Sequence, residues 1–271
     1  MRNMRRKLLL PAALLALLIG AFAAANFGDS VFAKSPQAAK MVDGLAYNPP
    51  APNEAPASIR AAVMLGYNIM NDPQKYASKY VGDSVTCSSC HFNGGISPGG
   101  KNGGLSLVGV AAKYPEYRSR SGQVDDIVAR TNACFLRSMN GKALPPDSKE
   151  MVAIVTYFHW ISKGIPIYGR IPWLGLKHIE SRHKPSAAAG KKIFTQTCAA
   201  CHGMDGQGTK IAPPLWGKYS FNDGAGMAHL QNFAAFVHDN MPYQVSNLTP
   251  DQALDVAAFV TAQPRPHFAR K

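Results

Sequence analysis

Two five-residue stretches carry the plainest chemistry in the sequence: "CSSCH" at Cys87–His91 and "CAACH" at Cys198–His202, 111 residues apart. C-x-x-C-H is the attachment signature of c-type haem. Its two thiols form thioethers with the haem vinyl groups, and the adjoining histidine becomes the proximal ligand of the iron. A zinc knuckle and a redox dithiol are the competing readings of such a pair. Shared zinc is disfavoured because each pair has its own adjacent histidine, which suits haem and not one tetrahedral site. The two copies use four of the five cysteines. They predict two covalently bound haem c groups, with Cys87, Cys90, Cys198 and Cys201 as thioether sulfurs and His91 and His202 as axial ligands.

Each iron then needs a group on its opposite face. In the second half, "NMPYQ" offers Met241, 39 residues after His202, with Met227 as the alternative. A thioether there favours reduced iron and raises its potential. The matching place in the first half, 43 residues after His91, is Cys134, the cysteine left over. Met139 competes for the same position. A lone cysteine is often a small buried hydrophobe. Cys134, however, has Arg130 four residues before it and Arg137 three after, on one helical face, with Arg120 and Lys142 nearby in sequence. Cations beside a thiol favour thiolate, the form that binds metal or attacks sulfur.

The elements that must position these residues form a loose repeat. Each half reads as a helix, a haem motif, a Gly/Pro-rich loop, a helix ending near a candidate ligand, and a closing helix. "SIRAAVMLGYNIM" puts Ile59, Val63, Tyr67 and Met70 on one stripe. "QVDDIVARTNACF" reads as a helix with Val124, Ile127 and Val128 inward. The first closing helix is predicted to start at Asp147, with Glu150 completing a capping box. In the second half "SAAAGKKIFTQT" leads into Cys198, and "HLQNFAAFVHDN" ends at Met241. The last helix is announced by Thr249 as N-cap, Pro250 at its first position and Gln252 three residues after the cap. No strand pattern is convincing. The fold class is therefore all-α, two tandem cytochrome c domains joined by an irregular linker: an N-terminal domain over 34–163, the linker over 164–185 and a C-terminal domain over 186–271.

The chain opens with a basic stretch and an apolar run from Leu8 to Ala25, as a secretory signal does, and "VFA" offers cleavage before Lys34. Residues 1–33 read as a signal peptide, with a retained membrane anchor as the alternative; the run is short for a span and Pro11 interrupts it. Either way the body lies outside the cytoplasm, where c-type haem is attached, which predicts a periplasmic protein. The formal net charge is +13; residues 1–33 hold four cations and one acid, so the rest carries +10. Such a field concentrates anions. Nucleic acid is not expected as a partner, since no helix-turn-helix or zinc-finger pattern appears.

The stretches "KYVGDSVTCSSCH", "LVGVAAKYPEY", "IVARTNACFLRSMNGKALP", "PPLWG…SFNDGAGM" and "NMP" together resemble the dihaem thiosulfate dehydrogenases, which form tetrathionate. The resemblance runs from about Ile59 to Phe259. It implies that Cys134 is both the distal ligand of the first haem and the catalytic sulfur. It also implies that Arg120, Arg130 and Ser138 line the substrate pocket, and that Met241 ligates the second haem. Some members carry lysine just before that methionine; this chain has Asn240, so a lysine–methionine exchange is not expected. Ala133 stands where glycine is common, and "FNGGISPGG" is unusual.

The implied chemistry joins two thiosulfates and releases two electrons, one for each haem. Cys134 thiolate combines with the outer sulfur of one thiosulfate, and the second attacks the resulting perthiosulfonate in a step of thiol–disulfide-exchange form. An electron-accepting or electron-donating cytochrome is the implied partner. The competing readings are a tetrathionate reductase using the same site in reverse, a non-enzymatic dihaem electron carrier, a dihaem peroxidase, and a thiosulfate-binding cytochrome subunit of a larger complex.

Overall fold

The computed structural model describes residues 40–269, so the segment read as a signal peptide lies outside it. Two helical halves are each built on a close helix crossing. In the first, α1 (Ala57–Asn71) packs along α5 (Lys149–Ile161). Gly66 makes the approach possible: a Cβ there would collide with the Ala153 carbonyl and the Tyr157 side chain. The buried stripe of α1 is Val63, Gly66, Ile69 and Met70, while Ile59 is exposed. Met151, Ile154, Tyr157, Phe158 and Ile161 of α5 close the core against Phe135, Met139 and Leu144. The cap of α5 is Ser148, whose Oγ accepts from Met151 N at 3.2 Å, and not Asp147.

The second half repeats the device. α6 (Ala187–Ile193) crosses α9 (Pro250–Thr261) at Gly190, where a Cβ would strike the Asp255 carbonyl. A wide π turn over Phe194–Cys198 and the short α7 (Ala199–His202) deliver the second haem motif. α8 (Leu230–Asn240) packs on α9, and the rings of Phe194, Trp216 and Phe259 meet one another in tilted and edge-on contacts. The Thr249 capping box forms as predicted, with Gln252 reaching back to Thr249 N at 2.9 Å. Two further short helices, α2 (Pro73–Tyr76) and α3 (Val110–Lys113), flank the first haem motif in sequence.

Two small antiparallel hairpins correct the expectation of no strands. β1 (Lys40–Val42) pairs with β2 (Leu45–Tyr47), and β3 (Glu116–Arg118) with β4 (Gln123–Asp125). β4 takes residues read as the start of a helix. α4 therefore begins only at Ile127 and runs to Arg137, capped by Asp126, whose Oδ1 accepts from Ala129 N at 2.7 Å. Val124, read as inward, is 64% exposed on the hairpin. The fold class is unchanged by four strands of three residues each.

The stretch 164–185 is irregular. Its first part packs Ile171 and Trp173 on Val108 and Ala112 of the first half. Its last part joins α9: Ser181 Oγ donates to Asp251, and His183 Nε2 to Asp255 Oδ1, both at 2.7 Å. The halves also bond directly. Gly104 N donates to the buried Asn240 Oδ1 and Asn102 N to the Asp239 carbonyl, both at 2.7 Å, while Asn222 Nδ2 donates to the Leu136 carbonyl at 2.9 Å. Among the described residues no helix is long and apolar enough to cross a membrane.

Candidate active site

The Asp126 cap fixes the phase of α4. Arg130, Cys134 and Arg137 then follow at helical spacing, and Ser138 continues the turn in helical conformation. Arg130 Nη1 donates to Cys134 Sγ at 2.7 Å. That sulfur is the main reason the Arg130 guanidinium is held well above its usual range; burial opposes the shift and Tyr114 adds to it. Tyr114 also accepts from Arg118 Nη1 at 2.8 Å. Arg118 ends β3 and is further engaged by Glu116 and Asp125 at 4.0 and 3.9 Å. The hairpin turn carries Arg120, whose Nη1 donates to the Gly224 carbonyl of the second half at 3.3 Å. Burial first, then repulsion by Arg137, Arg130 and Arg118, pulls the Arg120 guanidinium below its usual range. Four guanidinium groups therefore lie within one another's field.

All of them open on a single cavity of about 690 Å³. Cys87, Cys90 and His91 also line it, as do Cys134, Ser138 and Met139. Its apolar walls include Val110, Phe135, Ile154 and Phe158; Leu174 and Leu176 of the connecting stretch and Met227 and Asn232 of the second half complete it. One chamber thus holds both the first haem motif and the cysteine–arginine cluster.

The residues at both motifs fit haem. His91 Nδ1 donates to the Leu105 carbonyl at 2.8 Å, and His202 Nδ1 to the Pro213 carbonyl at 2.9 Å. A carbonyl only accepts, so Nδ1 carries the proton and Nε2 keeps its lone pair for a metal. Burial foremost lowers both imidazoles, His91 to about 4, so each is neutral and ready to ligate. The chamber has the size of a cofactor site, and apolar side chains line it together with the His91 imidazole and the Cys87 and Cys90 thiols. Around the second motif, His202 is buried, Cys198 half-buried and Cys201 exposed. Cys198 and Met241 pack on the second core. Met227 also touches that core, yet it lines the first chamber.

Tyr114, Arg118 and Asn232 were not singled out by sequence reasoning. Tyr114 stands inside the quoted "LVGVAAKYPEY", but nothing in that string tells which tyrosine will face the arginines.

Residues 74–167 match the family described as SoxA/TsdA, cytochrome c domain, and residues 185–260 match that described as cytochrome C oxidase, cbb3-type, subunit III. The thiosulfate dehydrogenase of Thiomonas intermedia (strain K12) is 36% identical over 96% of this chain and 86% of its own length. The chain belongs to the thiosulfate dehydrogenases. The family member from Allochromatium vinosum is 31% identical over 93% of this chain and 91% of that protein. Among solved structures, thiosulfate dehydrogenase (TsdBA) from Marichromatium purpuratum superposes with a TM-score of 0.76 at 28% identity, covering 81% of this chain. The chain spans about half, 49%, of that longer solved chain. Two cytochrome c domains and an all-α architecture are common to this thiosulfate dehydrogenase and its relatives, and two covalently bound haem c groups are its cofactors.

Proposed function

We propose that the protein oxidises two thiosulfate ions to one tetrathionate, with Cys134 as the sulfur that carries the first. The observation that carries this is the Arg130–Cys134 contact at 2.7 Å inside the chamber that also holds the first haem motif. An electron carrier has no use for a guanidinium-paired cysteine walled by three further arginines.

Cys87 and Cys90 would hold the first haem, with His91 and Cys134 supplying the ligand atoms for its iron. Met139 is the weaker candidate because it is a fully buried member of the first core. Cys198 and Cys201 would hold the second haem, with His202 and Met241 supplying the ligand atoms for its iron; Met227 is the weaker candidate because it lines the chamber of the first haem motif. When bound, haem supplies a one-electron acceptor at each site.

Arg120, Arg130 and Ser138 bind the dianionic substrate. Two unit charges of like sign at about 4 Å repel by roughly 4 kcal/mol at an effective dielectric near 20, so cations must offset that before two thiosulfates can meet. Arg130 holds the Cys134 thiolate and orients it. The thiolate and the outer sulfur of thiosulfate give up two electrons and form a sulfur–sulfur bond, leaving Cys134–S–S–SO₃⁻. The second thiosulfate attacks the Cys134-bound sulfane sulfur, tetrathionate leaves, and the thiolate returns.

The chain is organised as a signal peptide over 1–33, the site-bearing domain over 34–163, a linker over 164–185 and the second haem domain over 186–271. Its body is periplasmic, and a second cytochrome takes the electrons. The test is anaerobic reduction of the purified, fully oxidised holoprotein by thiosulfate, with tetrathionate assayed in parallel. One tetrathionate per two haems reduced supports the reading. Haem reduction without tetrathionate replaces it with an electron carrier.

A further inference from the structure

We propose that Asn240 is a positioning residue that joins the two candidate iron sites, fixing the chain at Met241 and the loop that supports His91 with one buried side chain. The inference rests on the reading of His91 and Met241 as ligands. Asn240 ends α8, stands next to Met241 and is 1% exposed. Its amide is used in both senses. Oδ1 accepts from Gly104 N at 2.7 Å, and Nδ2 donates to the Phe236 carbonyl one turn back at 3.1 Å. An N–H only donates and a carbonyl only accepts, so these two partners call for a side chain carrying both groups and fix which way round it lies.

The Gly104 end of that bond leads straight to the first haem motif. Leu105 N donates to the Cys90 carbonyl, and the Leu105 carbonyl accepts from His91 Nδ1, both at 2.8 Å. Gly104 has a φ of +62°, and a Cβ there would meet the Cys90 carbonyl and the Phe92 ring at 2.8 Å. The segment 102–105 therefore cannot shift without moving the acceptor that orients His91. From its other side the second half grips the same segment. Besides the Asn240 bond, Asn102 N donates to the Asp239 carbonyl at 2.7 Å, and Asn102 Oδ1 accepts from the buried Ser246 Oγ at 2.5 Å. Phe92, the residue after His91, meets Phe236 of α8 and Tyr243 edge-on, with ring centres 6.0 and 5.3 Å apart. Asp239, Asn240, Tyr243 and Ser246 bracket Met241 in the chain. The grip thus falls on the stretch that presents Met241.

The consequence crosses from one half to the other. An imidazole that donates its N–H to a carbonyl is a more basic ligand for it. Loosening Leu105 makes His91 a poorer donor, which favours reduced iron and raises the potential of the first haem. Loosening Met241 removes a thioether that favours reduced iron and lowers the potential of the second. A single substitution in the second half is expected to move the two potentials in opposite directions.

The test uses Asn240→Leu, which keeps the size of the side chain and removes both polar groups, on protein carrying both haems. Hydrogen exchange of peptides covering 102–106 is followed by mass spectrometry, and both haems are titrated with the methionine-to-iron band recorded. Exchange at 102–106 should be about tenfold faster, because a buried donor loses its partner. At a fixed applied potential the reduced-to-oxidised ratio should rise about threefold at the first haem and fall about threefold at the second. Asn240→Asp, whose oxygen still accepts from Gly104 N, should keep exchange within about threefold of the parent. If Asn240→Leu does not assemble, Ser246→Ala removes another point of the grip and should speed exchange at 102–106 by about threefold. Unchanged exchange there overturns the proposal, as does a shift confined to the second haem, which would make Asn240 an end cap of α8 alone. A parent protein without the methionine-to-iron band refutes instead the reading of Met241 as a ligand, and the exchange result then still decides whether Asn240 joins the halves.

Discussion

Replacing Arg130 by glutamine probes the contact on which the functional reading rests. The substitution keeps a polar, though shorter, side chain and removes one part-buried charge. The guanidinium donates to Cys134 Sγ at 2.7 Å and is itself part-buried. A charge pair centred about 4 Å apart is worth roughly 4 kcal/mol at an effective dielectric near 20. The net value of a hydrogen bond to a charged group is about 1.5–3 kcal/mol. Arg118, Arg120 and Arg137 remain in the same chamber and compensate in part. About 3 kcal/mol is left, which corresponds to a loss of roughly 10²-fold in kcat/KM for thiosulfate. Arg130→Lys retains the charge but not the fork that spans Cys134 and Tyr114, and should lose about tenfold. The assay is steady-state thiosulfate oxidation with a soluble acceptor, on protein whose haem content and second-haem spectrum match the parent. A kcat/KM for Arg130→Gln within threefold of the parent would refute the reasoning and leave Arg130 as a structural partner of Tyr114.

Two other outcomes follow from the geometry. Met241→Gly should abolish any methionine-to-iron charge-transfer absorbance and lower the potential of the second haem, leaving the first unaltered; a persisting band would return the role to Met227. Asp83 is buried with Oδ2 unpartnered, and burial pushes its carboxyl up to about 7 against a backbone bond from Val85 that opposes the rise. A folded-state value raised above the unfolded one means the native state binds the extra proton, so the contribution is present at pH 4 and is lost as pH rises to about 7. Thermal melting of the parent should therefore fall between pH 4 and pH 7 more steeply than that of Asp83→Asn; parallel curves would show that Asp83 titrates alike in both states.

What the sequence revealed is what it encodes locally. The haem motifs and the Thr249 box are set by residues within a few positions of one another. The β3–β4 hairpin escaped because three-residue strands leave no usable period, and Val124 fell on a helical stripe while belonging to a strand. Ser148 outcompeted Asp147 as a cap although both are capping residues, and nothing local separates them. The chamber was only half legible. Cys134, Arg130 and Ser138 share one helical turn pattern, and the family resemblance marked Arg120. Met227 and Asn232 reach the site from about a hundred residues away, through tertiary packing that no window of sequence displays.

The central claim is that thiosulfate sulfur passes through Cys134. It is tested most directly by peptide mass spectrometry of the oxidised holoprotein after exposure to limiting thiosulfate. The account predicts one S₂O₃ unit on the peptide bearing Cys134, removed by dithiothreitol. Cys134→Gly should retain both covalent haems yet give neither adduct nor tetrathionate. Sustained tetrathionate formation by Cys134→Gly, or an unmodified Cys134 peptide in parent protein that is turning over, would contradict it.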